Sequence, residues 1–173
     1  MSIVLIGYRG SGKTTVGRLL AQRLGKPFAD ADDLVVQRSG KSIREIFASG
    51  GEETFRTLEM AAIAELAGRN DGVIAVGGGA VLRDDNRRVL AGHTIVYLRC
   101  EVPELLRRIQ SDPATSDNRP NLTSLGGGID EIQALLRQRE PIYKAAMTHE
   151  LDVTSLTPAE AVDRLHKLIG RSN

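Results

Sequence analysis

Gly7-Tyr8-Arg9-Gly10-Ser11-Gly12-Lys13-Thr14 has the spacing G-x-x-x-x-G-K-[ST], a glycine-rich turn that ends in an ammonium and a hydroxyl. In such a turn successive backbone N–H groups point inward. Where it opens a helix, the positive end of the helix dipole lies behind them, so the unit can hold the phosphates of a nucleotide. Lys13 would reach the β and γ phosphates, and Thr14 offers a hydroxyl oxygen to Mg²⁺. Gly10, Ser11, Gly12 and Thr15 complete the expected ATP-binding set. The competing reading is a strand-to-helix turn that binds nothing. It accounts poorly for Lys13-Thr14 standing between an apolar run, Ile3 to Ile6, and a helical pattern at Val16, Leu19, Leu20 and Leu24.

A Mg²⁺-assisted reaction needs carboxylates as well. The clearest buried strand, Val73 to Val76, ends in Gly77-Gly78-Gly79 and supplies none. Asp30-Ala31-Asp32-Asp33 follows Phe28-Ala29 instead. If that strand persists, Asp30 and Asp32 share a face, and one carboxylate can hold the hydrated metal while the other takes the proton of an acceptor hydroxyl. The alternative is a helix N-cap with first-turn acids, which is the reading adopted for Asp33. The glycines at 77 to 79 fit either a close ligand approach or a tight turn. Arg56 and Arg139, the latter expected at a helix end, look by themselves like surface arginines. As a pair they could grip a substrate carboxylate. Arg119 precedes Pro120 in a polar, glycine-rich stretch from Ser111 to Gly128, placed to swing onto the phosphates as a loop closes.

The elements that must position these groups follow a βαβ rhythm. Short apolar runs at Ile3 to Ile6, Pro27 to Ala29, Val73 to Val76, Thr94 to Leu98 and Leu151 to Val153 alternate with helical periodicity. That pattern implies an α/β class with a mostly parallel sheet covered on both faces. Ser42 with Glu45, and Thr157-Pro158 with Glu160, mark helix starts. The apolar stripe Ala161, Leu165, Leu168 and Ile169 is expected to pack on the sheet. With 173 residues, 41% apolar and 26% charged, one domain over 1–173 is the expectation. A net charge of +1 points to no nucleic-acid partner, and the six-residue apolar opening is too short to cross a membrane. Cys100 is the only cysteine and the three histidines are scattered, which excludes a disulfide framework and fits a cytoplasmic location.

Gly-x-x-x-x-Gly-Lys-Thr, Asp30-x-Asp32, Gly51-Glu52-x-x-Phe55-Arg56, Gly77-Gly78-Gly79, Arg119-Pro120 and Arg139-x-Pro141-x-Tyr143, taken in order, resemble the shikimate kinase family over about residues 2 to 160. The resemblance implies a three-layer P-loop kinase fold with a five-stranded parallel sheet in 2-3-1-4-5 order. It also implies a substrate-binding segment at about 32–60 and a mobile lid at about 111–128. By the same resemblance Asp32 meets the acceptor hydroxyl, Asp30 and Thr14 hold hydrated Mg²⁺, and Lys13 and Arg119 bind ATP phosphates. Arg108 would stack on adenine, while Arg56, Arg139, Gly78 and Gly79 would hold shikimate. The segment Ser155 to Pro158, which should lie beside the base, offers no side chain that matches. A monomer acting on ATP and shikimate is expected. A kinase for another small acid such as gluconate, a nucleoside monophosphate kinase and a non-enzymatic nucleotide switch stay open as alternatives.

Overall fold

Four consecutive apolar residues, Ile3–Ile6, form strand β1, and all four are buried. A strand without an exposed face has to lie inside a sheet covered on both sides. β1 pairs in parallel with β3 (Val73–Ala75) on one side and β4 (Thr94–Arg99) on the other. β2 (Phe28–Asp30) and β5 (His149–Asp152) close the edges and give the order β2-β3-β1-β4-β5. This is the sheet that the family resemblance implies. The computed structural model describes residues 1–112 and 128–170; Arg119 and nearly all of the expected lid fall outside the described residues.

Among the described residues the connecting helices are α1 (Lys13–Leu24), α2 (Ala31–Ser39), α3 (Ile43–Gly68, interrupted at Gly51), α4 (Asp84–Leu90), α5 (Val102–Ser111), α6 (Ile129–Ala146) and α7 (Pro158–Gly170). A single 3-10 turn, Ala80–Leu82, follows the glycine run. α1 buries Val16, Gly17, Leu20 and Ala21, the three-and-four spacing of one helical face, against β1 and β3. Both capping boxes are formed. The Ser42 hydroxyl accepts the Glu45 N–H while Glu45 accepts the Ser42 N–H, and Thr157 and Glu160 exchange the same pair.

Two local expectations are corrected, and a third, the packing of the last helix on the sheet, holds with an added contact. β2 stops at Asp30, so Asp30 and Asp32 do not continue one strand face; α2 begins at Ala31 with Asp30 as its N-cap. Arg139 is not at a helix end. α6 runs through Pro141 to Ala146 because its buried face, Ile132, Leu135, Leu136, Arg139 and Tyr143, outweighs the one backbone hydrogen bond that proline removes. The apolar stripe of α7 meets α1 as well as β5, making a helix-on-helix contact in addition to the sheet contact.

Leu20 is fully buried where α1 meets the sheet. Leu20→Ala is expected to lower the unfolding free energy by about 3 kcal/mol, lost transfer plus a residual cavity, as read from urea unfolding.

Candidate active site

The register of the sheet decides what can meet at its C-terminal edge. Leu5, Ala75 and Asp30 stand at one level across β1, β3 and β2. The loops that follow these strands therefore leave side by side, and β1 is the strand at which connections diverge to both sides, the usual ligand position in open α/β sheets. The loop after β1 turns into α1 through Gly12, whose φ of 89° lies in the left-handed region that a Cβ would disfavour. Lys13 Nζ donates to the carbonyls of Gly7, at 2.9 Å, and Tyr8, at 2.8 Å, so its ammonium folds over its own loop. Ser11 Oγ is buried in the same loop and has no hydrogen-bond partner among the described residues.

Thr14 Oγ1, in the first turn of α1, donates to Asp30 Oδ2 at 2.8 Å, and Asp30 Oδ1 accepts the N–H of Asp32 at 3.0 Å. A hydroxyl and a carboxylate thus converge as hard oxygen donors beside the phosphate loop. Burial, and then the charge of Asp32, raise the pKa of Asp30, while the Thr14 and Asp32 hydrogen bonds work against that rise. Among the described residues no three His, Cys, Asp or Glu side chains cluster as a metal cage. The pairing of Thr14 with Asp30 fits a cation that keeps few protein ligands and takes the rest from water and phosphate, as Mg²⁺ does. Asp32 and Asp33 occupy the first turn of α2; Asp33 faces Arg18 at 3.7 Å and is exposed.

The two arginines that look superficial in the sequence are buried, each about 7% exposed. Arg56 Nη1 donates to Glu59 at 2.7 Å, one turn along α3, and its Nη2 and Nε reach Glu52. Burial works to lower the pKa of Arg56, but the Glu59 and Glu52 carboxylates more than offset it, so the net shift is upward. Arg139 lies over the ring of Tyr8, 5.7 Å from its centroid. The glycine run meets protein on both of its last two residues. A Cβ on Gly78 would stand 3.2 Å from the Gly7 carbonyl, and one on Gly79 would stand 2.5 Å from Arg56 Nη2. Tyr143 donates its hydroxyl to the Gly78 carbonyl.

A cleft of about 1200 Å³ joins the first group of residues. Gly10 to Thr15, Asp30, Asp32, Gly78, Arg108 and the segment Val153 to Pro158 line it. Arg108 is held from two sides, its Nε donating to Glu104 at 2.7 Å and its Nη2 to the Val153 carbonyl at 2.8 Å. The expected sites therefore fall into two bodies. Gly10, Ser11, Gly12, Lys13, Thr14, Thr15, Asp30, Asp32 and Arg108 share the open cleft, whereas Arg56, Gly79 and Arg139 stand behind Gly78, which belongs to both. Arg119 lies outside the described residues. Sequence reasoning missed Glu59 and Glu104. Each sits three or four residues from the arginine it holds, a helical spacing that could have identified both.

Comparison with known proteins agrees with this geometry. The family description "Shikimate kinase" matches residues 9–169. A shikimate kinase of Thermobifida fusca is 44% identical over 164 residues, covering 95% of this chain and 92% of that protein. One of Rhodopirellula baltica is 42% identical over 88% of this chain and 81% of that protein. Among solved structures, shikimate kinase from Acinetobacter baumannii in complex with shikimate superposes with a TM-score of 0.92 at 33% identity, covering 99% of this chain and 94% of that one. A gluconokinase from Sinorhizobium meliloti covers 99% of this chain and 97% of that one, with a TM-score of 0.61 at 25% identity. The described fold, the phosphate loop beside Asp30 and the extent of these matches lead to one conclusion: the chain belongs to the shikimate kinase family.

Proposed function

We propose that the two bodies of residues divide the substrates between them, the open cleft taking Mg²⁺ and ATP and the groups around Gly78 and Gly79 taking shikimate. The reaction of the family is transfer of the γ-phosphoryl of ATP to the 3-hydroxyl of shikimate, giving shikimate 3-phosphate and ADP. The observation that carries the assignment of residues is the contact of Gly78 with the phosphate loop on one side and, through Gly79, with a buried arginine on the other. A phosphoryl donor and a carboxylate-bearing acceptor held on the two sides of Gly78 would meet near Asp32.

Transfer through a loose transition state needs alignment and charge neutralisation more than covalent help. The N–H groups of Gly10 to Thr15 cradle the phosphates, and Lys13 exchanges the Gly7 and Tyr8 carbonyls for phosphate oxygens. Thr14 and Asp30 hold Mg²⁺, which supplies neutralisation of the phosphate charge when bound. Asp32 accepts the proton of the attacking hydroxyl. Arg56 and Arg139 bind the shikimate carboxylate, each held rigid by burial, and the Gly78 and Gly79 backbone meets the ring hydroxyls. Arg108 presents its guanidinium to the base, and Arg119 caps the phosphates. The whole chain acts as one domain and as a monomer in the cytoplasm; the location fits a single cysteine that is buried. No helix among the described residues is long and apolar enough to cross a membrane.

The test is ADP release with Mg²⁺ and ATP in the presence of shikimate, gluconate, AMP or no acceptor. Stimulation by shikimate alone is expected, and preferential stimulation by gluconate would replace the acceptor. For Asp32→Asn, we expect turnover to fall about 100-fold with ATP binding nearly intact. Unchanged turnover would remove Asp32 from the chemistry. For Asp30, whose raised pKa makes protons compete with the metal, Mg²⁺ affinity of the ADP-bound protein should hold at neutral pH and weaken as pH falls through that pKa. Calorimetric titration of the native protein beside Asp30→Asn checks this, the variant's residual slope giving the contribution of the nucleotide phosphates.

A further inference from the structure

Tyr143 is fully buried, and a buried phenol is costly unless its hydroxyl is satisfied. The group has one proton to give and lone pairs to receive. Its proton goes to the carbonyl of Gly78, and the guanidinium of Arg139, one turn back on the same helix, is the neighbouring donor to the phenol oxygen itself. Arg139 and Tyr143 are one turn apart on α6 and so lie on one face. The tilted ring of Tyr97, with centroids 5.1 Å apart, holds the ring of Tyr143 in place. Burial pushes the phenol up to about 12, so it remains a donor throughout the neutral range.

The consequence for the glycine loop follows from peptide geometry. The Gly78–Gly79 peptide bond is trans, so the carbonyl of Gly78 and the N–H of Gly79 point in opposite directions. With the carbonyl tied to α6, the Gly79 N–H is aimed away from α6. Gly79 is also the residue on which the Arg56 guanidinium packs. The hydroxyl, borne on α6 one turn from Arg139, thus joins two of the three elements that carry the proposed acceptor groups, α6 and the glycine loop; Arg56 stands on the third, α3.

We propose that Tyr143 is a positioning residue for the acceptor, its hydroxyl joining the Gly78 carbonyl to the Arg139 guanidinium and thereby setting the orientation of the Gly79 N–H and of Arg139 toward a small carboxylate-bearing alcohol. The inference rests on the reading of Arg139 and the Gly78-Gly79 backbone as the shikimate site. A purely structural tyrosine would affect both substrates through stability; a positioning tyrosine affects one.

Tyr143→Phe keeps the ring and removes only the hydroxyl. The expected result is a rise of about tenfold in shikimate KM and in shikimate Kd by calorimetry, about 1.4 kcal/mol, with ATP KM changed by less than about twofold. An unchanged shikimate Kd, or equal losses for both substrates, would overturn the proposal. Arg139→Ala, measured in parallel, separates the two levels. If it leaves shikimate Kd unchanged, the site reading itself fails; if it weakens shikimate while Tyr143→Phe does not, only the role of Tyr143 fails. Should Tyr143→Phe not fold, the Gly79 amide resonance of the native protein decides. A shift on adding shikimate supports the orientation argued here, and no shift at saturation overturns it.

Discussion

The parallel pairing of β1 between β3 and β4 is the constraint on which the cleft depends. Because β1 and β3 are hydrogen-bonded neighbours in register, the loops that leave them are forced into contact, and Gly78 lies against the backbone of Gly7, Tyr8 and Arg9. β2 on the far side of β3 brings Asp30 to the same level. A slip in register would separate the carboxylate from Thr14, since the hydrogen bond between them joins residues that no local element holds together. A side chain on β3's side would crowd the phosphate loop at Gly78 or the Arg56 guanidinium at Gly79.

Charge burial is the second demand on the fold. Arg56 and Arg139 are desolvated, and a lone buried cation would be expensive. Arg56 is compensated by Glu59, which is itself fully buried, and by the exposed Glu52. Arg139 has the ring of Tyr8 beneath it and the hydroxyl of Tyr143 beside it. Holding guanidinium groups in this way costs folding free energy that hydrophobic residues would not cost. It leaves them with few rotamers to lose when an anionic group arrives, which is the benefit a binding site draws from such an arrangement.

Tyr8 links the two halves. Its carbonyl accepts from Lys13 in the phosphate loop, while its ring carries Arg139. On the other wall, Arg108 is fixed by Glu104 and by the Val153 carbonyl, which joins α5 to the segment after β5 and narrows the cleft between them.

The sequence by itself determined whatever depends on local spacing. The phosphate loop between strand and helix, the α/β rhythm and the two capping boxes are all statements about neighbours in the chain, and the described residues contain them. Where a choice depended on distant partners, the sequence left it open. Asp30 could be read as a mid-strand residue or a cap; it is the last residue of β2 and accepts the Asp32 N–H as the N-cap of α2, while its other oxygen takes the distant Thr14 hydroxyl. Arg56 and Arg139 read as surface residues because charge is normally solvated; the helical spacing of Glu59 marks a partner for Arg56, but Gly79 packs on Arg56 and Tyr8 on Arg139 only because the sheet brings them up. Desolvation is a property of everything that packs around a group, so it belongs to the tertiary structure and has no signature in the spacing of the chain.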